Sequence, residues 1–79
     1  MKVSKLFQIL TPRINNKERF VVTPSGKDVP SDKKINIISD PMITYYGFVD
    51  AFNIAKKQDK CILGKYDNVS YKFYVVDVA

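Results

Sequence analysis

The 79-residue chain contains no histidine and no tryptophan, and its one cysteine is Cys61. Without histidine, imidazole-based catalysis is excluded, and one cysteine alone does not make a zinc site. A single cysteine also rules out an intramolecular disulfide bond, which fits a reducing cytoplasm. Because Cys61 lies in an apolar segment, we interpret it as a small hydrophobic core residue rather than as a nucleophile.

Long hydrophobic runs are missing as well. No apolar segment approaches the roughly 20 residues that a membrane-spanning helix needs. Charged Lys2 precedes apolar residues as in a signal peptide, but Gln8 and Pro12 interrupt the apolar segment, and no cleavage-like site of small residues follows. We therefore expect a soluble, cytoplasmic protein.

Carboxylates are few and scattered. The seven Asp and one Glu never recur as Asp-x-Asp or Glu-x-x-Glu, the spacings that would favour a metal site or an acid–base pair. Helix capping, turns and solvated positions account for Asp40, Asp67 and most of the others. We therefore predict no catalytic residues, no metal site and no cofactor, and expect a protein that is not an enzyme. A small metal-dependent hydrolase is the alternative among enzymes.

What the chain does have is an asymmetry of charge. The net charge is +5, and the first 34 residues carry all of it: eight Lys and Arg stand against three Asp and Glu there, whereas five Lys and five Asp cancel in residues 35–79. Clustered Lys and Arg attract polyanions over roughly a Debye length of about 8–10 Å. The charge distribution therefore favours a basic binding protein.

The length is that of one domain, residues 1–79, near the lower limit at which a single core is adequate. Hydrophobic residues make up 46% of the chain and aromatic residues 13%, which is typical of a folded protein and too much for a disordered one. Pairing with a second copy would enlarge so small a core. A monomer and a homodimer are therefore the two expected states.

The first third of the chain predicts a β-hairpin. Residues 5–10 are rich in apolar side chains, residues 20–23 are β-branched and aromatic, and Asn15-Asn16 between them tolerate the positive φ of a tight reversal. A helix over residues 3–10 is the alternative, because eight residues do not separate the two periodicities. Residues 23–32 are a loop by composition, and residues 35–38 are a short strand or an apolar lead-in.

The clearest pattern predicts a helix over about residues 41–58. Asp40 would cap its first N–H groups and Pro41 fits the first helical position, while Lys56 and Lys57 suit its last turns. Gly47 inside such a helix predicts close packing of another backbone. Spacings of three and four place a buried stripe on the helix, formed by Tyr45, Phe48, Val49, Phe52 and Ala55.

The C-terminal part predicts a second hairpin. Residues 60–66 and 69–78 flank a two-residue Asp67-Asn68 turn in which Asn68 takes a left-handed conformation. In the last strand, Val69, Tyr71, Phe73 and Val75 are expected to share one face. The predicted fold class is α+β, with a ββαββ-like order and one amphipathic helix packed on one face of an antiparallel sheet.

The basic residues are the candidate binding site for nucleic acid. The hairpin tip and the loop after it would bring six cations to one edge of the sheet, with two more at the start of the chain; the eight are Arg13, Lys17, Arg19, Lys27, Lys33, Lys34, Lys2 and Lys5. Tyr66 and Tyr74, interleaved with lysines, would stack on unpaired bases. The alternative is that both tyrosines cover the sheet and that the lysines are solvated charges that protect its edge.

In overall character the chain resembles the small accessory proteins, of the host-takeover and anti-defence kind, that large phages with AT-rich genomes make early in infection. The resemblance is carried by its 79 residues, its richness in Lys, Asn, Ile and Tyr, its one α+β domain and its lack of a catalytic set. Such proteins commonly bind and neutralise a host enzyme or toxin, and some basic ones do so through bound RNA. The resemblance implies a class of function and assigns no residues.

Together these observations lead to one hypothesis and one alternative. The hypothesis is a basic, non-enzymatic protein that binds RNA or single-stranded nucleic acid, acting in a ribonucleoprotein complex that inhibits a host factor or toxin in a bacterial or infected cell. The alternative is a protein-only inhibitor or adaptor that docks on an acidic partner, or adds a strand at its own sheet edge, without nucleic acid.

Overall fold

A computed structural model describes residues 1–29, 35–37 and 45–78, with side chains for 1–29 and 45–77. Its elements, in chain order, are α1 (Val3–Asn15), β1 (Phe20–Val22), β2 (Ile35–Ile37), α2 (Phe48–Gln58), β3 (Cys61–Tyr66) and β4 (Tyr71–Val78). All strand pairs in the described residues are antiparallel, and the strand order is β1-β3-β4-β2, with the short β2 at one edge. The α+β prediction is confirmed, but the ββαββ order is wrong because a helix precedes the first strand.

The predicted first hairpin is wrong because residues 3–15 are helical. Leu6 and Leu10, four residues apart, are both fully buried, and Val3 and Ile14 pack against the same core. A spacing of four residues places both side chains on one face of a helix. Residues 3–10 therefore adopt the helix that was the alternative prediction, and the helix continues to Asn15. Pro12 lies inside α1 without ending it.

The chain reverses after α1 at Lys17 rather than at the two asparagines. Lys17 has φ 59°, the left-handed conformation, whereas Asn16 has φ −85°. The Asn16 N–H donates to the Pro12 carbonyl, and the Lys17 and Glu18 N–H groups donate to carbonyls of the last helical turn. These bonds satisfy carbonyl groups that a helix end leaves open, which explains the reversal.

The main helix is confirmed over Phe48–Gln58, but it begins later than predicted. Asp40 and Pro41 lie outside the described residues. Tyr46 is not helical, since its N–H donates to the Phe73 carbonyl of β4. Gly47 is the N-cap, and a Cβ built on it meets nothing within 4 Å, so the predicted close backbone contact is wrong.

The buried stripe of α2 also differs from the predicted one. Phe48, Phe52 and Ala55 are buried as expected, and Ala51 joins them. Tyr45 and Val49 are 55% and 54% exposed, because Tyr45 precedes the helix and Val49 lies about 100° around it from Phe48. Two apolar side chains that the pattern predicted as core are therefore at the surface.

The second hairpin is confirmed, with a shift of one residue at its turn. β3 and β4 pair from Cys61 opposite Val76 to Tyr66 opposite Tyr71. Asn68 has φ 78°, as predicted. The Asp67 N–H, however, donates to the Ser70 carbonyl, so Asn68 and Val69 form the tip rather than Asp67 and Asn68.

Asp67 fixes this turn through its carboxylate. Its Oδ1 accepts the N–H groups of Val69 at 3.1 Å and Ser70 at 2.9 Å, and its Oδ2 pairs with the Lys72 ammonium. The hydrogen bond from Lys72, followed by the two backbone bonds, holds the pKa of Asp67 well below its usual range. A charged side chain thus has a structural role in the turn of this hairpin.

The two faces of the sheet bury different sets of residues. On one face, α1 and α2 pack against β1, β3 and β4 in a core that includes Leu6, Phe20, Phe52, Ile62 and Phe73. On the other face, a smaller cluster is formed by Val21, Leu63, Tyr74 and Val76, with Val29 and Cys61 packed against it. The sheet is therefore buried on both sides.

Cys61 is half-buried at the edge of the smaller cluster. Burial, with Asp59 and Asp77 nearby, raises the pKa of its thiol above the usual value. The thiol is therefore neutral at physiological pH and packs as a small apolar group. Neither α1 nor α2, the helices of the described part of the chain, has the length and apolar character to cross a bilayer.

Candidate nucleic-acid interface

The turn between α1 and β1 is hydrogen-bonded to the sheet. The Tyr71 hydroxyl donates a hydrogen bond to the Glu18 carbonyl, so the turn is tied to β4, 53 positions away along the chain. The Tyr71 ring stacks on Phe20 with centroids 5.9 Å apart, and both rings lie over Gly64. A side chain at Gly64 would collide with them, which is why this strand position is a glycine.

Arg13 joins α1 to the strand edge. Its guanidinium bonds to the Asp28 carboxylate at 2.6 Å, lies 3.8 Å from a Glu18 carboxylate oxygen, and sits 5.1 Å from the Phe20 ring centroid. Asp28 is in position because it bridges to Val22 after the chain turns back through Gly26. Two carboxylates offset the charge of Arg13, so this predicted phosphate ligand has a role inside the fold.

Lys17 and Arg19 project from the same turn. Both are exposed, and neither makes an ion pair among the residues that the structure describes. The Lys17 ammonium lies 4.7 Å from the ring centroid of half-buried Tyr66, the last residue of β3. These three residues, Lys17, Arg19 and Tyr66, are called the turn surface below.

The other predicted cations are elsewhere. Lys27 is exposed on the turn that follows β1, and Arg19 precedes that strand, so the two lie at opposite ends of β1. Lys2 and Lys5 are exposed at the start of α1, about 20 Å of helix away from the turn surface. Lys33 and Lys34 lie outside the described residues. The described cations are therefore spread over the molecule rather than gathered at one edge.

The two tyrosines proposed for stacking differ in access. Tyr66 keeps part of its ring at the surface, whereas Tyr74 is 3% exposed and belongs to the smaller core cluster. A base has no route to the Tyr74 ring in this conformation. Tyr45, which the helical pattern had assigned to the core, is 55% exposed and lies 4.4 Å from the Lys72 ammonium.

The charges of the β3–β4 hairpin are largely paired within it. Lys60 bonds to Asp77 at 2.5 Å, and Lys72 bonds to Asp67. The sequence did not predict these pairs, although Lys72 and Asp67 are close along the chain. No group of three or more Asp, Glu or Cys residues that would hold a metal ion occurs in the described parts of the chain.

An apolar groove lies between α1 and the start of α2. Val3, Ser4 and Phe7 line one side, and Phe48 and Val49 line the other, around a volume of about 310 Å³. Phe7 is 45% exposed and contacts Phe48 edge to face, with ring centroids 5.2 Å apart. A hairpin at the start of the chain would not form this groove, so the groove was not predicted. The four-residue spacing of Val3 and Phe7 is the signal that would have indicated it.

No protein-family model matches the chain, and neither a curated protein nor a solved structure shows significant similarity to it. The geometry of its own side chains is therefore the basis for a functional assignment.

Proposed function

We propose that the protein is a non-enzymatic binding protein for RNA or single-stranded nucleic acid, acting in a ribonucleoprotein complex that inhibits a host factor or toxin. The observation that carries the proposal is the turn surface, in which exposed Lys17 lies over the half-exposed ring of Tyr66 and a second exposed cation, Arg19, follows two residues later. Single strands are typically bound by this combination, in which cations follow the backbone and aromatic rings stack on bases.

Lys17 and Arg19 are suited to phosphate because neither has a carboxylate partner among the described ion pairs. The turn that carries them is already ordered by the bond from Tyr71 to Glu18. Little backbone entropy is therefore lost when these two side chains bind, which favours the complex. Lys2, Lys5, Lys27, Lys33 and Lys34 add a longer-range attraction for the strand.

Tyr66 would contribute by exchanging one neighbour for another. A cation over an exposed ring is worth about 0.5–1 kcal/mol, whereas stacking of a base on an aromatic side chain is worth about 1–3 kcal/mol. A base that stacks on Tyr66 therefore displaces the Lys17 ammonium at a net gain. The released ammonium is then free to contact the adjacent phosphate.

The test is a salt titration with labelled single-stranded RNA, followed by fluorescence anisotropy. If Lys17 and Arg19 are the principal contacts, log affinity falls with log salt with a slope of about −1.4, because each phosphate neutralised on a single strand contributes about −0.7. Contacts from all seven exposed or undescribed cations named above would raise the magnitude to about 5. Replacing both Lys17 and Arg19 by Ala should weaken binding and reduce the magnitude of the slope by about 1.4.

The matched control is Lys57→Ala, which removes an exposed cation from the last turn of α2. It should leave both affinity and slope nearly unchanged for a strand too short to contact two protein molecules. The proposal fails if wild-type protein does not bind RNA at low salt. It also fails if Lys57→Ala reduces the slope as much as a single replacement of Lys17 or Arg19 does.

The second candidate is a protein-only inhibitor or adaptor that docks on an acidic partner protein. The exposed apolar groove favours a protein partner, since exposed apolar side chains in contact with one another often mark a protein-binding surface, and the net charge of +5 favours an acidic one. The same titration separates the two candidates: absence of RNA binding at low salt, with the fold intact by circular dichroism, would favour the second.

A further inference from the structure

The exposed face of the two helices combines the apolar groove with a stripe of α2. Val49, Asn53 and Lys56 follow i, i+4, i+7 spacing, and Asp50 and Lys57 lie beside that stripe, seven residues apart. All five are exposed. The groove residues and these five are called the helix face below.

The two helices run in roughly opposite directions on this face. Met1, just before α1, lines a cleft with Ala55 and Lys56 at the end of α2, whereas Phe7 contacts Phe48 at the start of α2. The face is thus a pair of adjacent helices with an apolar seam between them. A seam of this kind accepts another helix, whose ridges fill it.

The charges of the face decide which helix fits. The five residues that line the groove carry no charge, so nothing in the groove selects an acidic or a basic partner. On α2, the acid lies in the first turn and the bases in the last turn. None of Asp50, Lys56 and Lys57 forms an ion pair among the described residues. A helix with this polarity is complementary to an antiparallel copy of itself.

We propose that two copies of this chain associate through the helix face, with α2 antiparallel to its copy across a twofold axis near Asn53. In that arrangement Asp50 of each copy faces Lys57 and Lys56 of the other, which gives two equivalent sets of ion pairs, as an isologous interface requires. Val49 and Phe7 are covered by the second copy. Because the groove itself is uncharged, its residues add no repulsion between two molecules that each carry +5.

The dimer would add to the proposed RNA binding, but its formation does not depend on RNA. It carries two turn surfaces, and a strand long enough to reach both gains from linked binding, whereas a short strand does not. Association is measured without nucleic acid, so failure of one proposal is distinguishable from failure of the other.

Sedimentation equilibrium over about 10–200 µM protein tests the association directly. Wild-type protein should approach twice the 9.1 kDa monomer mass. Val49→Glu should weaken the dimer at least about tenfold, because it replaces an apolar contact with a carboxylate that has to leave water for the apolar seam when the second copy covers it. The matched control is Ile9→Glu: Ile9 is 47% exposed, but it lies about 200° around α1 from Phe7 and so faces away from the helix face.

A charge exchange gives the sharper result. Asp50→Lys alone should weaken the dimer, and adding Lys57→Asp should restore it, because the ion pair is then reformed with its signs reversed. Circular dichroism verifies that each variant folds. The proposal is overturned if wild-type protein stays at 9.1 kDa throughout, if Ile9→Glu weakens the dimer as much as Val49→Glu, or if the double variant is no tighter than Asp50→Lys.

Discussion

The α1–β1 region and the β3–β4 hairpin both carry many charged residues but use them differently. In the hairpin, Lys72 pairs with Asp67, and Lys60, just before it, pairs with Asp77. In the α1–β1 region, Arg13 takes both of the carboxylates that form ion pairs there, and Lys17 and Arg19 have no such partner among the described residues. Charge that is neutralised in the fold stabilises structure, and charge left over is available to a partner.

The net charge along the sequence also differs between the two regions, but it does not show which cations lack a carboxylate partner among the described residues. Arg13 and Lys17 are four residues apart, and both belong to the basic part of the chain. Asp28 and Glu18 neutralise the first, whereas the second lies over a ring at the surface. The two uses of charge therefore differ between the two regions and also between two residues about one helical turn apart, Arg13 and Lys17. Variants of the chain can test both differences.

The largest expected effect comes from the core that the two regions share. Phe52 is 4% exposed in the cluster that contains residues from α1, β1, β3 and β4. Phe52→Ala should lower the free energy of unfolding by about 3–5 kcal/mol and should unfold both regions in one transition. Urea denaturation followed by circular dichroism and by tyrosine fluorescence measures this. Asn53→Ala is the control, and non-coincident transitions would mean that the regions fold separately.

The next largest effect is expected at Gly64, over which Phe20 of the α1–β1 region stacks on Tyr71 of the hairpin. A Cβ at Gly64 would lie 2.6 Å from the Phe20 ring and 2.9 Å from the Tyr71 ring. Gly64→Ala should therefore lower the free energy of unfolding by about 1–3 kcal/mol, because one of the rings has to move. Gly47→Ser is the matched control, because the added Cβ meets nothing within 4 Å and serine is a good N-cap residue for α2. Thermal unfolding that is equally affected by both variants would contradict the stacked arrangement.

Replacing Arg13 or Lys17 should separate effects on stability from effects on RNA binding. Arg13→Ala removes two surface ion pairs and a cation–π contact, and should lower the free energy of unfolding by about 1–2 kcal/mol. Lys17→Ala removes only the contact with Tyr66 and should cost less than about 1 kcal/mol while it weakens RNA binding more. Urea denaturation and the anisotropy assay measure the two effects. A larger loss of stability from Lys17→Ala would reverse the assignment.

The smallest effect concerns the tyrosine that ties the two regions together. Burial raises the pKa of Tyr71 to about 12, with Glu18 adding to the rise and Arg13 opposing it. Because this pKa is higher in the folded than in the unfolded chain, the contribution to stability is complete below about pH 10 and is lost as the pH rises toward about 12. Urea denaturation in that range should show a steeper loss for wild-type protein than for Tyr71→Phe. Equal slopes would indicate that the phenol is not buried as described.

The C-terminal hairpin was predictable because its signals are local. Asn68 tolerates a positive φ, and alternation in β4 places Tyr71, Phe73 and Val75 on one face. The turn shifted by one residue because the Asp67 carboxylate accepts two backbone N–H groups, a choice that depends on the pairing of the strands. The later part of the helix was predictable for the same reason, since its spacing is complete within Phe48–Gln58.

The first region was not predictable in the same way. Residues 5–10 contain apolar residues that fit either a strand or a helix, and only the burial of Leu6 and Leu10 together against the sheet separates the two. The predicted nucleic-acid site changed together with this secondary structure. Once residues 3–15 are helical, the cations predicted to share one hairpin edge are distributed between the start of α1, the turn after it and the far end of β1.

The sequence by itself determined the asymmetry of charge, the lack of histidine, the C-terminal hairpin and most of α2, because composition and short-range periodicity require no distant contact. The tertiary structure alone decided that Arg13 stabilises the fold while Lys17 and Arg19 remain exposed, since the Asp28 carboxylate lies 15 positions from Arg13 and reaches it only when the chain turns back along β1. It also decided that Phe7 and Val49 line a groove, because their exposure depends on how two helices pack on one sheet.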